Sequence, residues 1–504
     1  MLPWAAGWLE TGALVALLSI STLAAASKLF VETSGSVAAQ LGLGNLAAAV
    51  PNWAAAGVWI TGDHRFPLTA HKTVTYACIV LALVLGGIGV AHALRRRRWT
   101  LLWLALAGAI SLLYVAERYP AWIQFKAECV TSPIALLLAF AGAAAIFQAR
   151  RLRGLRFVGL LGALVLAAAV LWGNALAYHD TTIAPYPRLH ELEVIGQHFA
   201  GDGPTLSPSW DEYAEYFLRS MNAEVPPDIT YIAPRPGIFL PGQVIYNFDL
   251  DQIQLNNVEY FRYLVLRRSP VASRPPSNFV LVERTAFYEV WKRVGNGSSI
   301  VLHSPLSGSP TERTASFCRI ESRQAKAALK GQVAGARIAY VRTPAAVTLG
   351  AAQLSHSATL KVTGDQFIAY GPARAQGAFT VTHAGRWTFW LGGSIERPVR
   401  LLVDGRTLGT VAYEASYPGQ YVIAGMRRLR AGVHTVELLR GGGSLHPASG
   451  NGTDTTNRLI GPLVAMGTPP EEDQPVQTAP FSQLPAICRA HVGLDWLEVL
   501  RPAR

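Results

Sequence analysis

The sequence predicts a multi-domain membrane protein in three parts. They are an α-helical transmembrane bundle of about five spans over 1–180, a small exported α/β domain over 181–300, and a C-terminal all-β sandwich over 301–504. Three observations lead there. Half of the 504 residues are hydrophobic and only 15% are charged, where ordinary soluble domains carry about 25%. The charge is also uneven: residues 1–180 hold 13 cations and 6 anions, clustered between long apolar runs, and the remainder holds 31 and 26. Beyond residue 300 the pattern turns into short, often alternating segments with turn residues about every 8–12 positions. This composition argues against disorder and against a purely cytosolic enzyme. The net charge of +12 comes from 44 Lys and Arg, only seven of them Lys, so with so much Ala, Gly and Pro a lone Arg is weak evidence for an anion site.

Five apolar stretches approach the ~20 residues a helix needs to cross a bilayer: Gly12–Phe30, Thr73–Leu94, Leu101–Val115, Ser132–Gln148 and Phe157–Tyr178. The third and fourth need flanking residues to complete a span. Arg95–Arg98 lies between the second and third, and Arg150, Arg151, Arg153 and Arg156 lie between the fourth and fifth. The positive-inside rule places both clusters in the cytoplasm. The N-terminus is then inside, while the 31–72 loop and everything after Tyr178 are outside. A cleavable signal peptide is the other reading of the first stretch, because Ala24-Ala25-Ala26-Ser27 resembles a small-residue cleavage site; Glu10 and the lack of a basic segment before it speak against that.

Cysteine usage fits export. Cys318 and Cys488 bracket the last part of the chain, and in an oxidising compartment such a pair predicts a disulfide closing a long loop. The alternative is two buried thiols. For Cys78 and Cys129 separate membrane-buried thiols are expected rather than a second bridge.

In the α/β segment, Leu189, Leu192, Ile195 and Phe199 recur as on an amphipathic helix, which Gly201-Asp202-Gly203-Pro204 terminates. A second helix is expected over Ser209–Met221, and strands at Ile229–Ala233, Tyr263–Leu266, Phe279–Glu283 and Tyr288–Trp291. The sandwich segment offers eight strand signals between Ala336 and Leu439. Asp404-Gly405 among them is a hairpin turn whose residues tolerate positive φ.

The stretch Gly385-Arg386-Trp387-Thr388-Phe389-Trp390-Leu391-Gly392-Gly393, with Val399–Asp404-Gly405 and Leu429-Arg430-Ala431-Gly432-Val433-His434 after it, resembles the framework of jelly-roll carbohydrate-binding modules. Those residues build a fold; the resemblance implies a jelly roll and, more weakly, glycan contact. The chain as a whole resembles the C-terminal half of bacterial GT-C-type membrane glycosyltransferases. That resemblance rests on Trp59-Ile60-Thr61-Gly62-Asp63-His64-Arg65-Phe66-Pro67, Lys126 with Ser132-Pro133, Glu191-Leu192, Gly203-Pro204-Thr205, and Cys488 with Leu494-Asp495-Trp496. It implies a polyprenyl-phosphate sugar donor and cell-envelope glycan as acceptor. One departure is plain: the family's catalytic acids sit in the first exported loop of a larger helical core, and here that loop offers only Glu32 and Asp63. Either the catalytic half is absent, or it resides on a partner polypeptide, or the protein is not a transferase.

Asp63, His64 and Arg65 form the densest cluster of candidate catalytic residues, beside Trp53 and Trp59. A carboxylate there suits a base acting on an acceptor hydroxyl or a divalent metal, and Arg65 suits a lipid phosphate. The competing reading is an interfacial turn with tryptophan anchors. Lys126, in the second exported loop with Glu128, and Arg188 are the other cations suited to a phosphate, although snorkelling and pairing with Glu128 is the favoured reading of Lys126. Trp210 and Tyr213 suit sugar stacking, or else the core. Near His190 and Glu193 the pattern is that of a polar helix face, so the metal stays unknown and no cofactor is identified.

Nucleic acid is excluded as a partner, because the basic clusters are topogenic. The expected function is a GT-C-like glycosyltransferase polypeptide of the cell membrane, or its C-terminal part. The alternative is a non-catalytic, membrane-anchored glycan-binding or scaffold protein.

Overall fold

A computed structural model describes residues 42–43, 46–68, 71–149, 154, 156–180, 185–209, 211, 213–226, 233–235, 248–295, 300–305, 315–331, 333–414, 419–447, 449, 459–467, 476–489 and 493–502. The chain forms two compact units, Met1–Thr181 and Thr182–Arg504.

The first unit contains α1 (Lys72–Arg95), α2 (Trp99–Arg118), α3 (Ala121–Gln148) and α4 (Arg156–Asp180). All four are long and apolar enough to cross a membrane. Their outward side chains agree with a lipid setting: on α2 alone, Trp99, Trp103, Leu106, Ile110 and Leu113 are exposed, a surface that water would penalise. The expected span Gly12–Phe30 lies outside the described residues. The fourth expected span begins eleven residues earlier than expected, because Pro120 in extended conformation starts the helix and Pro133 is accommodated inside it. Lys126 and Glu128 therefore stand on α3, not in a loop.

Helices α1 and α3 meet backbone to backbone. A Cβ on Gly142 would lie 1.9 Å from the Leu85 carbonyl oxygen, and one on Gly89 would lie 2.1 Å from that of Leu138. Small residues permit this approach, on which van der Waals packing in a membrane depends. Gly142→Val is expected to force the helices apart at a cost of about 1–3 kcal/mol. A lowered thermal midpoint in detergent checks this; an unchanged midpoint refutes the crossing.

The second unit begins with α5 (Tyr186–His198), whose Leu189, Leu192 and Ile195 are buried as their spacing predicts. A five-stranded sheet follows, with β1 (Thr205–Leu206), β2 (Ala223–Glu224), β3 (Tyr263–Arg267), β4 (Phe279–Arg284) and β5 (Tyr288–Arg293) in the order β2-β1-β3-β5-β4. The helix expected over Ser209–Met221 is only the short α6 (Ala214–Phe217) and a 3-10 turn, Arg219–Met221. Asn222 ends that turn in the left-handed region at φ 49°, while Asp211 upstream is drawn into an ion pair with Arg188. The expected strand Ile229–Ala233 falls almost wholly outside the described residues.

Two antiparallel sheets form the sandwich. One has the order β15-β14-β17-β12-β9 and the other β16-β13-β19-β8. Their main strands are β12 (Ala373–Val381), β13 (Gly385–Gly392), β14 (Val399–Val403), β15 (Arg406–Val411), β16 (Tyr421–Leu429), β17 (Gly432–Arg440) and β19 (Leu463–Gly467), with β8 (Ala346–Leu349) and β9 (Ser355–His356) at the edges. The three-stranded group of β10 (Leu360–Thr363), β11 (Gln366–Ala369) and β18 (Leu459–Ile460) accompanies them. Phe379, Trp387, Phe389, Leu401, Val436 and Leu463 fill the space between the sheets. Asp404 and Gly405 take φ 50° and 71°, and Val403 pairs with Arg406, as a tight hairpin requires.

A separate sheet, β20-β7-β21-β6, joins β6 (Ile300–Pro305) and β7 (Arg337–Arg342) to β20 (Gln477–Pro480) and β21 (Leu494–Leu500). The segment expected as one sandwich is thus a sandwich inserted between the halves of a second sheet. Strand pairing across the whole insertion is what local sequence pattern does not encode.

Candidate functional site

In the first unit, residues 46–67 fold over the ends of α3 and α4. Gly173 on α4 lets the loop approach, since a Cβ there would lie 2.9 Å from the Trp59 carbonyl oxygen. Beneath the loop is a cavity of about 280 Å³, lined by Trp59, His64, Phe125, Glu128 and Asn174 among others. His64 stacks on Phe125 with ring centroids 5.0 Å apart. Burial lowers its pKa, Asp63 opposes that, and Arg65 adds to it, so the imidazole stays neutral near pH 7.

The expected base Asp63 is closed off. Its Oδ1 accepts from Arg65 Nε at 2.9 Å and its Oδ2 from Arg65 Nη2 at 2.6 Å, and the Arg65 backbone N–H donates to Oδ1 at 3.0 Å. Burial raises its pKa, but the Arg65 hydrogen bonds and charge outweigh this and hold it below the usual carboxylate value. A carboxylate so held orders the loop; it is a poor proton acceptor. Arg65 correspondingly spends its charge on Asp63.

Glu128 is the acid that reaches the cavity. Its residue is 2% exposed, Gln124 Nε2 donates to Oε1 at 3.3 Å, and Oε2 is buried with no hydrogen-bond partner among the described residues. Trp59 Nε1 is likewise buried without an acceptor among the described residues. A missing donor for Oε2 and a missing acceptor for the indole are what a ligand hydroxyl would supply. Sequence reading passed over Glu128 as a partner for Lys126, yet an acid inside an apolar run is itself a signal of function. Lys126 in fact lies 4.9 Å from the Trp122 ring centroid.

In the second unit Arg188 is 4% exposed and pairs with Asp211 and with Glu414, 2.8 Å away. Tyr213 is 43% exposed. Trp210 lies outside the described residues. The expected Cys318–Cys488 bridge falls on the Cys318 side chain, also outside them; Cys78 and Cys129 are free thiols, and no disulfide joins two described side chains. No group of three or more His, Cys, Asp or Glu among the described residues is arranged to hold a metal ion.

No protein-family model matches the chain, and no curated protein matches it. Solved structures similar to part of it include carbohydrate-binding modules. A family 35 module from Clostridium thermocellum is 13% identical, covers 25% of this chain and 99% of its own, and has a TM-score of 0.19. A family 35 module from Cellvibrio japonicus is 22% identical, with 25% and 95% covered and a TM-score of 0.18. A Podospora anserina β-(1,4)-mannanase carrying such a module is 12% identical; a quarter of this chain matches 28% of it, with a TM-score of 0.20. At these TM-scores the likeness carries no argument. The two-sheet sandwich rests on its own strand pairing.

Proposed function

We propose that the chain is a multi-pass protein of the cell membrane that binds a sugar hydroxyl beside α3, as a GT-C-like glycosyltransferase polypeptide. Its donor is a polyprenyl-phosphate sugar and its acceptor a cell-envelope glycan. The N-terminus lies in the cytoplasm and the second unit outside. The observation that carries this reading is the buried, half-partnered Glu128 carboxylate in the loop-covered cavity. In the reaction the acceptor oxygen bonds to the anomeric carbon as that carbon's bond to the phosphate oxygen breaks. Polyprenyl phosphate leaves with the bonding pair, and Glu128 Oε2 takes the hydroxyl proton. Trp59 Nε1 donates to a sugar oxygen, and His64 closes the cavity against water.

The protein in lipid nanodiscs, given polyprenyl-phosphate pentoses and hexoses with envelope glycan, tests this. Glu128→Gln is expected to lower transfer by about 10²–10⁴-fold with the thermal midpoint retained. Asp63→Asn is expected to cost far less, since Asp63 acts only through Arg65. Wild-type rates from Glu128→Gln reject Glu128 as the base. A second reading, non-catalytic glycan binding, is favoured by the Asp63–Arg65 closure, which leaves the cavity a single acid. Absence of transfer from every donor, with saturable quenching of tryptophan fluorescence by glycan, would establish it.

A further inference from the structure

The second unit holds a larger cleft, of about 500 Å³, that takes no part in the chemistry above. Its floor comes from strand alternation. Along β13, Trp387, Phe389 and Leu391 point into the sandwich core, which turns Arg386, Thr388 and Trp390 to the outer face. Trp291 on β5, Arg342 at the end of β7 and the Thr343-Pro344 turn after it add further wall, as does the proline-bearing segment after β3 with Arg268 and Arg274. The cleft is therefore assembled largely from residues outside the sandwich.

Six arginines line it against two carboxylates, Glu289 and Asp495. Glu289 is already engaged, with Arg284 at 2.9 Å, Arg268 at 4.0 Å and the Trp291 indole N–H at 3.1 Å. Asp495 accepts the Arg274 backbone N–H at 2.7 Å. Arg342 and Arg386, by contrast, are exposed, and neither guanidinium has an ion pair or hydrogen bond among the described residues. Like charges gathered in one concavity repel, so the arrangement favours a bound anion.

A second observation is independent of charge. Trp390 is 7% exposed, and its Nε1 is buried with no acceptor among the described residues. Guanidinium carbons stand 5.7 Å from the Trp390 ring centroid (Arg268) and 5.2 Å from that of Trp291 (Arg274), which stiffens both walls. The lining is thus rich in donors, with Glu289, Asp495 and main-chain carbonyls as scattered acceptors. Its volume falls within the ~300–1,000 Å³ usual for small-ligand sites. A bare anion would leave those acceptors unused, and a neutral sugar would leave the guanidiniums uncompensated.

We propose that this cleft binds an anionic saccharide, its carboxylate or phosphate on Arg342 and Arg386 and its ring oxygens and hydroxyls against the Trp390 indole and Glu289. Nothing in this depends on the transfer reaction.

The test is calorimetric titration of the full chain in nanodiscs of neutral lipid. The ligands are a glucuronate oligosaccharide, glucose 1-phosphate, a neutral glucose oligosaccharide and inorganic phosphate. One or both anionic sugars are expected to saturate, at least about tenfold more tightly than the neutral sugar or inorganic phosphate. Which of the two binds separates the carboxylate from the phosphate source. The double variant Arg342→Gln, Arg386→Gln should weaken binding by roughly tenfold or more and reduce its salt dependence. Both side chains are exposed, so circular dichroism should not change. Glu128→Gln should bind as the wild type does, which separates failure here from failure of the transfer reading. Equal affinity for neutral and anionic sugars, or for inorganic phosphate alone, overturns the proposal. So does wild-type affinity in the double variant, or no saturation by any anionic sugar up to about 10 mM.

Discussion

Glu414→Ala is expected to destabilise the second unit by about 3–5 kcal/mol, the range for breaking a buried ion pair by removing one partner. Glu414 Oε1 accepts from Arg188 Nε at 2.8 Å and from Arg267 Nη2 at 3.1 Å, and all three side chains are almost fully buried. Arg267 also donates to Gln420 at 3.0 Å, and Arg188 pairs with Asp211. Removing Glu414 leaves two desolvated guanidiniums facing one another with Asp211 as the nearby carboxylate. Burial already lowers the Arg188 pKa, and Arg267 lowers it further. Urea unfolding of the full chain in nanodiscs, followed by tryptophan fluorescence, measures the loss. A loss below about 1 kcal/mol would show that the cations are compensated elsewhere. Replacing the whole cluster with apolar residues of similar volume should restore much of the stability, because the desolvation penalty goes with the charges.

The second unit should also lose stability as pH rises, through His303 and Asp495. His303 lies between Asp251 Oδ1, 3.0 Å from Nε2, and Glu498 Oε1, 2.8 Å from Nδ1. Burial alone would lower its pKa, but hydrogen bonds and charge from both carboxylates raise it to about 9, against 6.5 as the ordinary value. Because the folded value is the higher, the stabilisation is fully present below the unfolded pKa of 6.5 and is lost as pH climbs through about 9. Its size is on the order of 3 kcal/mol. Asp495 is pushed up to about 7 by burial and by Asp251 and Asp249, from an ordinary 3.8. Folding there favours the protonated acid, so stability declines as pH rises from 3.8 to about 7. The urea midpoint should fall across both windows, and His303→Gln should flatten the alkaline one. A midpoint that is level or rising between about pH 7 and 9 would refute a charged His303.

Much of the architecture could be read from local pattern. The apolar runs locate α1 to α4, since a bilayer admits only segments that satisfy their own backbone. Alternation along Trp387–Leu391 marks β13, and Asp404-Gly405 marks the hairpin between β14 and β15. The cavity was less legible. The Asp63-His64-Arg65 cluster lies in the loop that covers the cavity, but adjacency in sequence did not reveal that Arg65 would close on Asp63. Glu128 was visible as an acid in an apolar stretch, though not as the group beneath that loop. The arginine cleft left no local trace, because its walls come from six separate stretches and arginine is common throughout.

Run length and residue period determined the helices long and apolar enough to cross a membrane, the position of the sandwich strands and the hairpin turn, because each depends on side chains a few positions apart. Tertiary structure alone decided that Arg188 and Glu414, 226 positions apart, share one buried ion pair. It likewise decided that His303 meets Glu498 across 195 positions, with β6 and β21 side by side around an inserted sandwich. Those partners are selected by desolvation: a buried charge must find its counter-ion wherever the packed chain places one, and no local pattern names it.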